Sequence, residues 1–216
     1  MTKRALRIGG GAGAKALCVF VHGRGQSPEE MQSHVLARLD TAATAFVLPR
    51  APGGVWYAAR AVDPLTAETR TELTQGLDAV EADIAAIRAE HPGLPLLLVG
   101  FSQGACLALE YAFSGRAAPD ALFALTGCRI GVPADDRPRA LPRALPVYLS
   151  GGDADPWISV EAMADAALDL ARGGAALRTD VFPGRPHEVS DAEVAMLQCA
   201  LNDMAAGHTP AMEAPR

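Results

Sequence analysis

No run of apolar residues in this sequence is long enough to span a bilayer. Stretches such as Ala16–Val21 and Leu94–Val99 have strand length and fall far short of the ~20 residues a membrane helix needs. The charged start Met1-Thr2-Lys3-Arg4 runs into glycines rather than an apolar core, so no secretory signal and no stable membrane insertion are expected. Clusters of lysine and arginine are also missing, and the net charge is −6. A phosphate backbone would meet net repulsion, which argues against nucleic acid as a partner. The four cysteines (Cys18, Cys106, Cys128, Cys199) show neither CxxC spacing nor a disulfide-dense pattern. They read as reduced, buried thiols of a cytoplasmic protein. The histidines lack zinc spacing such as HExxH, and no internal repeat is visible. What remains is an ordinary globular composition, half hydrophobic and one-fifth charged, in 216 residues that suit one domain with a sizeable core.

Strand-like apolar runs alternate with helical patterns, the signature of βαβ units and a mainly parallel sheet. The expected strands are Ala16–Val21, Ala45–Leu48, Leu96–Gly100, Ala121–Leu125, Val147–Ser150 and Arg178–Phe182. Lys3–Ile8 would add an antiparallel edge strand through a glycine-rich hairpin. One helix carries Leu73, Leu77, Val80, Ile84 and Ile87 on a single face and ends at His91-Pro92-Gly93. The last helix repeats that spacing with Val194, Leu197, Leu201 and Met204. Gly131–Pro146 reads as a surface loop too short for a lid domain, and residues 208–216 as a frayed tail after a single domain over 1–207.

The strongest chemical signal is Gly100-Phe101-Ser102-Gln103-Gly104, a G-x-S-x-G sequence between a strand and the helical stretch Ala105–Phe113. A serine at such a turn has a strained backbone and an exposed hydroxyl, with helix N–H groups aimed at developing negative charge. His22-Gly23-Arg24-Gly25 follows the strand Ala16–Val21, where the glycines let the loop approach the serine. The backbone N–H groups of Arg24 and Gln103 are the expected oxyanion donors. His22 itself reads as a hydrogen-bond partner that fixes the loop, and the Arg24 guanidinium as solvated or available to an anionic substrate group. A serine hydroxyl needs a base. His34 falls in a surface helix, His91 in a helix-ending loop and His208 in the tail, whereas His187 lies just past the last strand, on the edge where parallel sheets bind ligands. An orienting carboxylate is offered by Asp153 or Asp155, after the strand Val147–Ser150, and the order Ser…Asp…His suits this fold.

Together these motifs resemble the phospholipase/carboxylesterase family, which includes acyl-protein thioesterases and small bacterial esterases. The resemblance runs from Val21-His22-Gly23-Arg24-Gly25 through Gly100–Ala105 and Asp155-Pro156 to His187-Glu188. It implies the α/β-hydrolase fold, with helices on both faces of the sheet. It also implies Asp155, the aspartate before a proline, as the triad member rather than Asp153, and Trp56 of Trp56-Tyr57 as a wall of the acyl pocket. Residues 49–54 and the loop after Trp56 depart from the eukaryotic thioesterases.

Gly9–Ala14 is too loose for a dinucleotide fingerprint because a strand, not a helix, follows it. No metal and no organic cofactor are therefore expected. The chain reads as a serine carboxylesterase in which Ser102, Asp155 and His187 form the triad, acting on a small-molecule ester. Homodimer formation is left open. The rivals are acyl-protein thioesterase or lysophospholipase activity, acyl transfer on the same scaffold, or a ligand-binding protein that has kept the fold without turnover.

Overall fold

The computed structural model describes residues 5–213. Its elements follow the expected alternation: β1 (Leu6–Ile8), β2 (Ala16–Val21), α1 (Pro28–His34), β3 (Thr44–Leu48), α2 (Ala67–Glu90), β4 (Leu96–Phe101), α3 (Gln103–Phe113), β5 (Ala121–Leu125), β6 (Pro146–Gly152), α4 (Val160–Gly173), β7 (Ala176–Phe182) and α5 (Asp191–Ala205). The strands form one seven-stranded sheet in the order β1-β3-β2-β4-β5-β6-β7, parallel throughout except for β1.

Alternation of side chains along each buried strand builds two cores. Leu17, Val19 and Val21 of β2 face one side with Leu96 and Leu98 of β4, and α2, α3 and α4 cover them. Ala16, Cys18 and Phe20 face the other side with Leu97 and Val99, under α1 and α5. Strands buried on both faces read as continuous apolar runs, which is why β2 and β4 stand out in the sequence. The helical stripes close these cores. Leu73, Leu77, Val80, Ile84 and Ile87 are buried in α2, and Val194, Leu197, Leu201 and Met204 in α5.

Three local expectations change. The edge strand is antiparallel but is not half of a hairpin with β2. It pairs with β3, Ile8 opposite Phe46, because β2 already has a parallel partner on each side. Residues 3 and 4 of the expected strand lie outside the described residues. The loop over residues 131–145 is exposed only in part, since Leu141 and Leu145 are buried in the first core. Of the segment read as a frayed tail, residues 208–213 are described. Pro210 is buried, Met212 packs on the second core, and Ala211 N–H donates to Asp203 at 3.1 Å.

Candidate active site

Because β2, β4, β6 and β7 are parallel, the loops leaving their C-terminal ends share one edge of the sheet, where open α/β folds bind ligands. Four of the expected site segments lie on these loops.

Ser102 sits between β4 and α3 with φ 56° and ψ −121°, a backbone conformation that an L-residue adopts at a cost of ~1–3 kcal/mol. The flanking glycines make that turn possible. A Cβ at Gly100 would lie 2.2 Å from the Gly104 carbonyl oxygen, and one at Gly104 would lie 2.2 Å from the Val21 carbonyl oxygen. The serine is therefore held at the N-terminus of α3, where unpaired N–H groups and the helix dipole favour negative charge.

His187 lies in the loop after β7, with its side chain 20% exposed. Its Nε2 is 2.8 Å from Ser102 Oγ and its Nδ1 is 2.7 Å from Asp155 Oδ2. The Asp155 side chain is fully buried. Its other oxygen, Oδ1, accepts from the Trp157 and Ile158 N–H groups at 2.7 and 3.0 Å, which fixes the carboxylate plane. Asp153 is exposed and does not meet the histidine; its Oδ1 accepts from the Gly184 N–H at 2.5 Å, tying the β6 loop to the loop that carries His187.

That loop has a buried brace which sequence reasoning missed. Arg185 donates to the Glu188 carbonyl and, at 2.9 Å, to Thr126 Oγ1, and its guanidinium is 3.5 Å from Glu193. Glu193 is fully buried; it accepts from Ser150 Oγ at 2.5 Å and closes a capping box with Ser190 at the start of α5. In sequence these groups are scattered over residues 126–193, so no local spacing announces them.

On the opposite side, the loop after β2 is set by His22. Its Nε2 accepts from the Ala51 N–H at 3.1 Å, so the proton resides on Nδ1, which donates to the Gly23 carbonyl at 2.7 Å. Arg24 and Gln103 both line the cavity beside Ser102, and their backbone N–H groups have no acceptor among the described residues. Gln103 does a second job: its side chain accepts from Trp56 N–H at 3.0 Å and donates to the Tyr57 carbonyl at 2.7 Å.

Burial lowers the pKa of His22 from its usual 6.5. As pH falls, the unfolded chain takes up this proton before the folded one, so the neutral ring contributes stability that is complete above about pH 6.5 and is lost below it. The Tm advantage of the wild type over His22→Asn should accordingly shrink as melts are taken from pH 8 to pH 5. An advantage that grows toward acid would refute the assignment of a neutral, acceptor Nε2.

The cavity above Ser102 has a volume of about 280 Å³, with Tyr57, Cys106, Ile158 and Trp157 among its walls. Trp56, expected as a wall, is not among the lining residues; it is 5% exposed, and its indole N–H donates to the His22 carbonyl at 2.9 Å. Its neighbour Tyr57 takes the wall position. Trp157 lies ahead of α4: Ser159 has an extended backbone and caps that helix, the Asp155 carboxylate accepts from the N–H groups of residues 157 and 158, and Trp157 stays in the loop, 70% exposed at the cavity rim.

A mainly parallel sheet, helices on both faces and a serine on a tight strand-to-helix turn define the α/β-hydrolase fold. The phospholipase/carboxylesterase family pattern matches residues 8–204, and the chain belongs to that family. It is thus a hydrolase of an esterase family. Among solved structures, a phospholipase/carboxylesterase from Dyadobacter fermentans is similar at 28% identity and a TM-score of 0.80, covering 93% of this chain and 97% of its own. Esterase PE8 aligns at 23% identity and a TM-score of 0.76, over 93% and 98% of the two chains. Zea mays acyl-protein thioesterase 2 aligns at 20% and 0.74, over 94% and 99%. No curated protein sequence matches the chain. Among the described residues, no helix is long and apolar enough to cross a membrane.

Proposed function

We propose that this protein is a cytoplasmic serine carboxylesterase that cleaves small carboxylic esters through an acyl-enzyme. The observation that carries the proposal is the continuous hydrogen-bonded line from Asp155 through His187 to Ser102, at 2.7 and 2.8 Å. His187 Nε2 takes the Ser102 proton as Oγ attacks the ester carbonyl. Asp155 keeps the ring in the required tautomer and stabilises the imidazolium. The N–H groups of Arg24 and Gln103 receive the tetrahedral oxyanion, aided by the N-terminus of α3. His187 then hands the proton to the leaving alcohol, and later activates the water that releases the acid and restores Ser102. A thioester carbonyl is open to the same attack.

A fluorophosphonate probe tests the proposal directly. It should label the protein with one equivalent, and peptide mass analysis should place the adduct on Ser102. Labelling that persists in Ser102→Ala would move the nucleophile elsewhere.

The two tryptophans should separate packing from selectivity. Trp157→Ala removes an exposed rim, so it should alter the acyl-chain-length profile of p-nitrophenyl esters while changing stability by no more than ~0.5 kcal/mol. Trp56→Ala empties a buried, hydrogen-bonded site and should cost about 3–5 kcal/mol of stability. Melts beside chain-length profiles distinguish them, and the opposite pattern would return the wall to Trp56.

A further inference from the structure

Among the described residues, the cavity that holds Ser102 is lined by two arginines, Arg24 and Arg60, and by no aspartate or glutamate. In a chain of net charge −6, that local excess of positive charge at the nucleophile runs against the protein's overall field. Arg24 is held in place rather than free. Its Nη2 donates to the Tyr57 carbonyl at 3.0 Å and to the Ala59 carbonyl at 2.5 Å, and its guanidinium carbon is 5.9 Å from the Tyr57 ring centre. Two carbonyls consume two donors and leave the charge and three N–H groups for a ligand. Arg60 stands at the mouth, with its side chain 76% exposed. Asp63 is its competing partner, at 3.9 Å, too long for a hydrogen bond and weak across solvent.

Resting on the esterase assignment above, we propose that the preferred substrates are esters carrying a carboxylate on a short acyl chain, that is, half-esters of dicarboxylic acids, with Arg24 and Arg60 receiving the free carboxylate. A planar guanidinium held by backbone carbonyls is pre-organised for a carboxylate, so little side-chain entropy is lost on binding. The cavity volume of about 280 Å³ suits a short acyl chain, and Tyr57 and Ile158 supply apolar walls for its methylenes. Arg60 also adds long-range attraction at the entrance, which salt should screen.

The test compares kcat/KM for the mono-p-nitrophenyl ester of adipic acid with that for p-nitrophenyl heptanoate, a neutral ester of matching length. In the wild type the ratio should exceed one, and it should fall as ionic strength is raised from 0.05 to 0.5 M. Arg60→Gln, an exposed change that spares the fold, should lower the ratio by about two- to fivefold; Arg24→Gln should lower it further. A wild-type ratio below one, or a ratio that Arg60→Gln and Arg24→Gln both leave unmoved, overturns the proposal while the esterase assignment stands. If neither ester is cleaved and Ser102 takes no fluorophosphonate label, both fall together.

Discussion

Ser102→Ala and His187→Ala should each lower kcat by about 10⁶-fold, and the double variant should be no slower than either single one. The reason lies in the 2.8 Å contact between His187 Nε2 and Ser102 Oγ. A serine hydroxyl without its base is a poor nucleophile, and a base without a nucleophile has only water to activate, so removing one partner idles the other. What survives in each variant is the oxyanion site and substrate binding, worth ~10³–10⁴ over the uncatalysed rate in comparable triads. Single-turnover kinetics on one p-nitrophenyl ester, with all three variants at equal folded concentration, provide the measurement. Losses that multiply in the double variant would mean that the two residues act independently, and the line of hydrogen bonds would then be incidental.

The second large effect separates the aspartates. Asp155→Asn should lower kcat by about 10⁴-fold, equivalent to ~5 kcal/mol of transition-state stabilisation, with little change in the melt. The amide introduced by Asp155→Asn could keep its oxygen on the Trp157 and Ile158 N–H groups, so the loop should hold its shape. Its NH₂ group would then face His187 Nδ1 and favour the wrong tautomer. Asp153→Asn should retain activity within about tenfold, since an amide oxygen still accepts from the Gly184 N–H. Its effect belongs in stability and in the order of the loop that carries His187. Measuring kcat beside Tm for both variants decides the matter. An active Asp155→Asn enzyme with a crippled Asp153→Asn would reverse the assignment.

The sequence by itself determined the layers and the tight strand-to-helix turn that carries Ser102. Period-2 and period-3.6 burial are local properties, so β2, β4, α2 and α5 are legible from their apolar spacing. The elbow is legible too, because its steric demands fall on five consecutive residues: Gly100 and Gly104 are needed where backbone atoms crowd the turn. The parallel alternation also sent His187 and the Asp153/Asp155 loop to the same edge as Ser102, and the family resemblance singled out Asp155.

Tertiary structure decided everything that depends on distance between loops. It brought Asp155, and not Asp153, to His187. Tyr57, rather than Trp56, became the cavity wall, because the Trp56 indole N–H is claimed by the His22 carbonyl and its backbone N–H by Gln103. The links from Arg185 to Thr126 and from Glu193 to Ser150, and the arginine pair at the cavity, arose in the same way. Each joins residues far apart in the chain, whose meeting costs loop-closure entropy that only the whole packed fold offsets, so no stretch of sequence carries its signature.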